Sequence, residues 1–141
     1  MPETIRIGGL ELQFFQSRED GEGSLDLFEM TVQPNARMPV AHHHESWDET
    51  IYGLAGVTVW RLAGNDITLR LGSTVFIRRG VAHGFRNDTQ ESARCLCILN
   101  PGVLGPEYFR EMATLVGGGI LDPMRMKQTM LRYGLIPAPG S

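Results

Sequence analysis

Apolar and polar residues alternate in short runs over the first hundred positions of this chain. Such runs, rich in β-branched and aromatic residues and separated by turn residues, predict β-strands. The predicted strands are Ile5 to Phe15, Leu25 to Val32, Thr50 to Leu54, Val57 to Leu62, Ile67 to Leu71, Thr74 to Ile77, His83 to Arg86 and Ala93 to Leu99. Glycine, asparagine, aspartate and proline fill the connections, so mostly antiparallel pairing is expected. The pattern is typical of a sandwich or barrel.

The C-terminal part of the chain has helical spacing instead. A first helix is predicted from Pro106, where proline suits the first turn. Its apolar positions recur at Tyr108, Met112 and Leu115, and a run of three glycines from Gly117 ends the pattern. This is the signature of one amphipathic helix.

A second short helix follows, with Asp122 as its N-cap, Pro123 in its first turn and Gly134 at its C′ position. Its methionines are expected to pack on the barrel or on a partner subunit rather than hold a cofactor. These are Met124, Met126 and Met130. The tail from Ile136 is expected to be extended.

Size, composition and charge narrow the class of protein. With 141 residues, 42% of them hydrophobic and 21% charged, the chain suits one packed domain. A net charge of −3 without a basic cluster argues against a nucleic-acid partner. No apolar run approaches the ~20 residues that span a bilayer, and the N-terminus does not resemble a secretory signal. We therefore expect a cytoplasmic protein without a membrane partner.

The only cysteines, Cys95 and Cys97, lie two positions apart in an apolar run. On a strand they point to the same face, and a disulfide between such neighbours would be strained. A thiolate metal site is one interpretation. Buried, reduced side chains that act as small hydrophobes are the favoured one.

Histidines provide the candidate chemistry. His42 and His44 share one face of a strand while His43 faces the other way, so the two outer imidazoles form a chelating pair. Glu49 can reach the same point only if the chain bends around residues 46–48. His83 precedes or begins a later strand.

Three imidazoles and one carboxylate suit one divalent metal ion, which could be Fe, Mn, Co, Ni, Cu or Zn. Each histidine would bind as the neutral ring and fix its tautomer through its other nitrogen. The partners of those nitrogens are expected to be nearby acceptors such as Asp48 or backbone carbonyls. The alternative interpretation is that these histidines are ordinary polar side chains at the surface.

The spacing of these residues resembles the cupin family. His42-x-His44, Glu49 and Gly56 match the first cupin motif in full. The second motif is matched at four positions, with Arg78 where the family usually has proline. The four are Gly72, Gly80, His83 and Asn87. Because Arg78 replaces a turn residue of the motif and not a metal ligand, this difference is expected to change the shape of the turn and not the metal site.

The resemblance implies an all-β fold, a double-stranded β-helix or jelly-roll barrel, here with two short C-terminal α-helices. We expect a single cupin domain over residues 1–141, with the core barrel at about 25–101 and the helices at about 105–134. Small cupins often dimerise, so a homodimer is expected. The resemblance also implies that His42, His44, Glu49 and His83 are the metal ligands.

The fold does not name a reaction. The first hypothesis is a dioxygenase-like oxidoreductase that acts on an enolisable or phenolic small molecule, with Glu49 as the catalytic general base. The second is redox-neutral isomerase, lyase or hydrolase chemistry, in which the metal polarises a carbonyl. The third is a non-catalytic barrel that binds a small molecule.

Aromatic residues on the neighbouring strands could shape a pocket, although plain core packing is the favoured interpretation. They are Tyr52, Trp60, Phe76 and Phe85. Trp47 could cover the mouth of the site or pack beneath the loop. Five strand and turn arginines are expected to be exterior rather than anion-binding: Arg61, Arg70, Arg78, Arg79 and Arg86.

Overall fold

The computed structural model describes residues 2–20, 24–118 and 122–139. The strands are β1 (Glu3–Ile7), β2 (Leu10–Gln16), β3 (Asp26–Val32), β4 (His42–His44), β5 (Asp48–Ala55), β6 (Thr58–Leu62), β7 (Asn65–Leu69), β8 (Thr74–Ile77), β9 (His83–Arg86), β10 (Ala93–Asn100) and β11 (Leu135–Pro137). The helices are α1 (Gly105–Gly117) and α2 (Pro123–Arg132).

Two antiparallel sheets face each other. The first sheet has the strand order β1-β2-β3-β10-β5-β8, and the second has β11-β4-β9-β6-β7. Neighbours along the chain, such as β4 and β5, repeatedly lie in opposite sheets, which is how a jelly roll is wound. The predicted all-β jelly roll with two short C-terminal helices is confirmed.

Alternation along the strands directs one set of side chains into the space between the sheets. In β10 the inward set is Ala93, Cys95, Cys97 and Leu99, all 2% exposed or less. In β3 it includes Phe28, Met30 and Val32. The core therefore lies between the sheets, and these strands have the period of two that half-buried strands require.

The N-terminal run predicted as one strand from Ile5 to Phe15 is two strands. β1 and β2 form a hairpin whose turn is Gly8-Gly9, and Gly8 has a φ of +56°. A left-handed φ is readily adopted only by glycine, so the chain reverses here despite the continuous apolar pattern around it. This hairpin pairs with β3 and extends the first sheet.

The two motif residues Gly56 and Asn87 hold loops in place. Gly56 has a φ of +67°, which favours glycine. A Cβ there would also lie 2.7 Å from the Ser92 carbonyl oxygen, so both the backbone angle and the lack of space exclude a side chain. Asn87 is fully buried, and its amide donates hydrogen bonds to the carbonyls of Val32 and Glu91 at 3.0 and 2.8 Å. Both motif residues are structural.

The helices begin where the sequence predicted. The Asp122 side chain accepts hydrogen bonds from the amides of Met124 and Arg125, and Gly134 follows the C-cap with a φ of +86°. Helix α1 starts beside the buried Asp26, whose carboxyl accepts from the Gly105 amide at 3.1 Å. Of the three glycines predicted to end α1, Gly119 lies outside the described residues.

The helices pack on the barrel through only part of the predicted methionine cluster. Met126 and Met130 are 2% and 1% exposed, but Met124 is 70% exposed and does not pack on the barrel, so for Met124 only packing on a partner subunit stays a prediction. Met124 lies in the first turn of α2. In the described part of the chain no helix is long and apolar enough to cross a membrane.

Candidate metal centre

Strand β4 is short, and its neighbours fix the direction of its histidines. His42 pairs with His83 of β9 on one side, and His44 pairs with Leu135 of β11 on the other. His42 and His44 are 6% and 4% exposed, while His43 is half-buried on the opposite face. The register therefore turns three imidazoles into the interior, as the alternation predicted.

Glu49 reaches the same place from the other sheet. The chain bends at Glu45 and Ser46, so that β5 starts at Asp48 in the first sheet and directs Glu49 inward. Glu49 is 7% exposed and pairs with Ile77 and Leu99 on its neighbouring strands. The bend expected from the odd spacing is present, and it carries the chain between the sheets.

The candidate ligand atoms converge on a small volume. Nitrogen atoms of His42, His44 and His83 all lie within 4.8 Å of one another, and the Nε2 atoms of His42 and His44 are 3.2 Å apart. Oε1 of Glu49 is 3.9 Å from Nε2 of His44 and 3.9 Å from Nε2 of His83. These distances join four side chains from three separate stretches of the sequence.

Backbone carbonyls orient two of the rings. Nδ1 of His42 lies 2.9 Å from the Val40 oxygen, and Nδ1 of His83 lies 3.0 Å from the Val81 oxygen. When those nitrogens donate, each Nε2 keeps its lone pair for the centre. Asp48, the other candidate acceptor, is wrong for this role: it accepts hydrogen bonds from Arg79 at the surface.

Burial keeps the histidines neutral. It lowers the pKa of His42 to about 3 and lowers the pKa of His44 and His83 as well, with the neighbouring imidazoles of the centre adding to the effect on His42 and His44. Burial also raises the pKa of Glu49 to about 8, and only the adjacent Cys97 thiol, as a hydrogen-bond donor, opposes this rise. The contacts between Glu49 and the histidines are therefore not pairs of charged groups.

This donor set fits a divalent cation. Nε2 of His83 is buried without a hydrogen-bond partner, and the Nε2 atoms of His42 and His44 approach each other at 3.2 Å. An orphaned buried nitrogen is costly, whereas a cation held between the rings would satisfy these lone pairs. Imidazole and carboxylate ligands suit Fe, Mn, Co, Ni, Cu or Zn.

The centre lies on the wall of an interior chamber of about 90 Å³. Its lining is drawn from both sheets, both helices and the segment before β4. The lining residues are Ile7, Leu10, Leu12, Phe28, Met30, Met38, Pro39, Val40, His42, His44, Glu49, Trp60, Phe85, Cys97, Leu99, Leu104, Tyr108, Phe109, Met112, Met130 and Leu135. Almost all are apolar, so a molecule beside the centre would contact mainly apolar side chains.

The predicted pocket aromatics divide into two pairs. Trp60 and Phe85 line the chamber with ring centroids 4.8 Å apart. Tyr52 and Phe76 face outward and are 39% and 57% exposed, so their assignment to pocket or core is wrong. Each lies at a position where the alternation of buried and exposed side chains along its strand points outward, and an aromatic side chain there does not change that direction.

Trp47 packs beneath the bend and does not cover a mouth. It is 1% exposed, its ring stacks on His44 at 4.6 Å, and Gly134 lies against it. The five arginines singled out from the sequence are absent from the chamber lining, which agrees with their expected exterior position.

Sequence reasoning missed the contribution of the C-terminal helices and of Cys97. Tyr108, Met112 and Met130 were assigned to helix faces, but they also line the chamber. The cysteines are free and buried as predicted, with sulfur atoms 3.9 Å apart, and Cys97 lies beside Glu49. The alternation along the strand predicted that Cys97 points inward. Its contact with Glu49 could not be predicted, because Glu49 lies on a strand more than forty residues away in the sequence.

Residues 28–99, about half of the chain, match the family model described as Cupin_2, cupin domain. This stretch contains all four candidate ligands. The sequence matches none of the curated proteins.

Solved structures share the fold. A predicted oxalate decarboxylase from Thermotoga maritima is 23% identical, with a TM-score of 0.63 over 72% of this chain and 92% of that one. The polyketide cyclase RemF from Streptomyces resistomycificus is 28% identical, with a TM-score of 0.61 over 71% and 72% of the two chains. An RmlC-like cupin from Shewanella frigidimarina is 19% identical, with a TM-score of 0.60 over 72% and 85%.

Proposed function

The chain belongs to the Cupin_2 family of cupin domains, and we propose that it is a metal-dependent enzyme that acts on a small organic molecule. The observation that carries this proposal is the convergence of three neutral imidazoles and one buried carboxyl on the wall of an apolar chamber. In this proposal His42, His44, Glu49 and His83 hold one divalent ion.

The favoured reaction is dioxygenase-like, with dioxygen as the second substrate and a phenol or enol as the first. A redox-active ion, when bound, would polarise the substrate oxygen and allow dioxygen to react with the ring or the enol carbon. The protein itself would supply three orienting imidazoles, a water-excluding wall and a base.

Glu49 is the group proposed to take the substrate proton. In this proposal the Glu49 carboxylate, which lies 3.9 Å from Nε2 of both His44 and His83, leaves the ion to act as the base. The proton would pass from the phenol or enol hydroxyl to a carboxylate oxygen. The Cys97 thiol beside Glu49 can donate a hydrogen bond that keeps the carboxylate oriented.

A redox-neutral reaction is the second candidate, and the comparison with RemF favours it, because that polyketide cyclase is 28% identical to this chain. The same residues would then orient a carbonyl compound, and Glu49 would move a proton between carbon and oxygen without dioxygen. The first candidate reaction consumes dioxygen and the second does not, so the dependence of turnover on dioxygen distinguishes them.

The test starts from protein purified without a nickel column. Its metal content is measured, and oxygen uptake is then followed with catechols, 1,3-diketones and flavonols. Stoichiometric Fe, Mn, Ni or Cu with uptake supports the dioxygenase. Equal turnover of the same compounds without oxygen supports the redox-neutral candidate.

Glu49→Gln separates binding from proton transfer. We expect it to retain some metal and to lose turnover by roughly 10²- to 10⁴-fold, the usual contribution of a positioned base. Full activity in this variant would remove Glu49 from the mechanism.

We also propose a homodimer. On the outer face of the first sheet, Tyr52 of β5 and Phe76 of the neighbouring β8 are 39% and 57% exposed. Such a set of large apolar side chains on one sheet face suits an interface between copies. Sedimentation equilibrium at micromolar concentration tests this, and a monomeric mass would contradict it.

A further inference from the structure

The three imidazoles of the candidate centre differ in what holds their outer nitrogen. Nδ1 of His42 lies 2.9 Å from the Val40 oxygen, and Nδ1 of His83 lies 3.0 Å from the Val81 oxygen. Nδ1 of His44 is buried and has no hydrogen-bond partner in the part of the chain that the structure describes. A hydrogen bond at this nitrogen normally fixes the orientation of an imidazole that binds a metal. His44 therefore lacks the support that the other two rings have.

An indole packs on His44 instead. The ring centroids of His44 and Trp47 are 4.6 Å apart and their planes are 21° from parallel, so the rings are stacked. His42 and His83 meet His44 at 39° and 78°. Because the imidazole lies flat on the indole, rotation about its Cβ–Cγ bond would drive one ring edge into Trp47. The stacking therefore restricts the direction of the His44 Nε2 atom, which faces the centre 3.2 Å from Nε2 of His42.

Trp47 is itself held by packing from a distant part of the chain. It is 1% exposed, and its indole nitrogen has no hydrogen-bond partner among the described residues. Gly134, between α2 and β11, lies so close that a Cβ there would be 3.4 Å from the indole. The Gly134 carbonyl accepts a hydrogen bond from the Glu45 amide at 3.1 Å, and the next residue, Leu135, pairs with His44. The segment after α2 thus supports both the strand of His44 and the indole stacked on it.

We infer that Trp47 is a positioning residue of the metal centre, whose stacking on His44 takes the place of the missing outer hydrogen bond and keeps Nε2 directed at the ion. The inference rests on the proposed function for the ion and its four ligands. Trp47 is absent from the chamber lining, so it acts through His44 and not on a substrate.

Two variants separate an aromatic face from apolar bulk. Trp47→Leu keeps an apolar side chain but loses the flat ring, whereas Trp47→Phe keeps a ring that can stack. We expect Trp47→Leu to weaken Co²⁺ and Zn²⁺ binding by roughly 10- to 100-fold, the effect of losing an outer partner of a ligand. Trp47→Phe should stay close to the unaltered affinity. Competition with a chromophoric chelator measures both.

The visible spectrum of bound Co²⁺ provides the readout that a loss of stability alone would not change, because its bands depend on the number and geometry of the ligands. The spectrum should change in Trp47→Leu and be restored in Trp47→Phe. Trp60→Leu is the matched control: Trp60 is also 1% exposed, but it packs on Phe85 and donates to Thr58 at 2.9 Å. It should lose stability and keep the Co²⁺ affinity and spectrum.

Three results would overturn the inference. The first is an unchanged affinity and spectrum in Trp47→Leu, and the second is an equal loss of affinity in Trp47→Leu and Trp60→Leu. The third does not depend on the folding of any variant. In the Zn²⁺-loaded unaltered protein, the indole ring current should shift the ring protons of His44 upfield of those of His42 and His83, and unshifted His44 protons would refute the stacking.

The same measurements distinguish this inference from the proposed function. An unaltered protein that binds neither ion would refute the centre and the role of Trp47 together. An unaltered protein that binds the ion but turns over no substrate would refute the enzyme only. In that case a selective loss of affinity in Trp47→Leu would still support the positioning role.

Discussion

The two walls of the chamber are built in different ways. The sheet wall carries the histidines and Glu49 on antiparallel strands, with β5 paired along most of its length to β10 and β4 paired to β9 at His42 and His83. The helical wall contributes Tyr108 and Met130, and it is joined to the barrel by caps, ion pairs and apolar packing. The candidate metal ligands therefore lie on the sheet wall, and the helical wall contributes apolar lining.

The attachments of the helical wall are mostly exposed. Arg110 of α1 pairs with Glu3 and Glu19, and Glu111 accepts hydrogen bonds from Arg132 and Tyr133 near the end of α2. Exposed ion pairs contribute roughly 0–1 kcal/mol each. Burial of side chains such as Met130 must then account for most of the stability of this wall.

The largest effect is expected on the sheet wall, from His44→Ala. It removes one of the three convergent imidazoles, so metal affinity should fall by more than the roughly 10- to 100-fold that even an outer hydrogen-bond partner of a ligand costs. Elemental analysis after dialysis measures it. His43→Ala, on the opposite face of the same strand, is the control and should retain metal. Equal metal content in both variants would refute the assigned centre.

Acid should destabilise the metal-stripped protein through the same wall. His42 has a pKa of about 3 when folded and 6.5 when unfolded, so stability is lost as pH falls from 6.5 toward 3, by roughly 5 kcal/mol for this ring at most. Glu49 acts in the opposite direction: its contribution is present below pH 4.5 and lost as pH rises through about 8. Urea unfolding at a series of pH values measures the sum.

Glu49→Gln sharpens this prediction, because it removes the opposing contribution. Between pH 4.5 and 6.5 the variant should therefore lose stability more steeply on acidification than the unaltered protein. A metal-stripped Glu49→Gln variant whose stability does not change between pH 7 and pH 4 would contradict the neutral, buried histidines.

On the helical wall, Met130→Ala should cost about 2–5 kcal/mol, because it leaves a cavity at a side chain that is 1% exposed. Met124→Ala, at a position 70% exposed on the same helix, should change stability by less than about 0.5 kcal/mol. Metal content should be unchanged in both. Loss of metal in Met130→Ala would mean that the two walls are not independent.

Much of the sheet wall could be predicted from the sequence because its signals are local. A period of two placed His42 and His44 on one face and His43 on the other, and the odd spacing to Glu49 required a bend. The same local reasoning failed at the N-terminal hairpin, where a glycine turn interrupts a continuous apolar run. It also failed at Tyr52 and Phe76, because aromatic composition says nothing about which face of a strand is outside.

The sequence by itself determined most of the strands, the helix ends, the motif spacing and the four candidate ligands, since each depends on residues a few positions apart. Only the tertiary structure decided that Glu49 meets the histidines from the opposite sheet, with Cys97 beside it. It alone showed that Tyr108 and Met130 close the chamber. Those neighbours come from distant parts of the chain, and their contacts are set by strand order and helix packing, which no local pattern specifies.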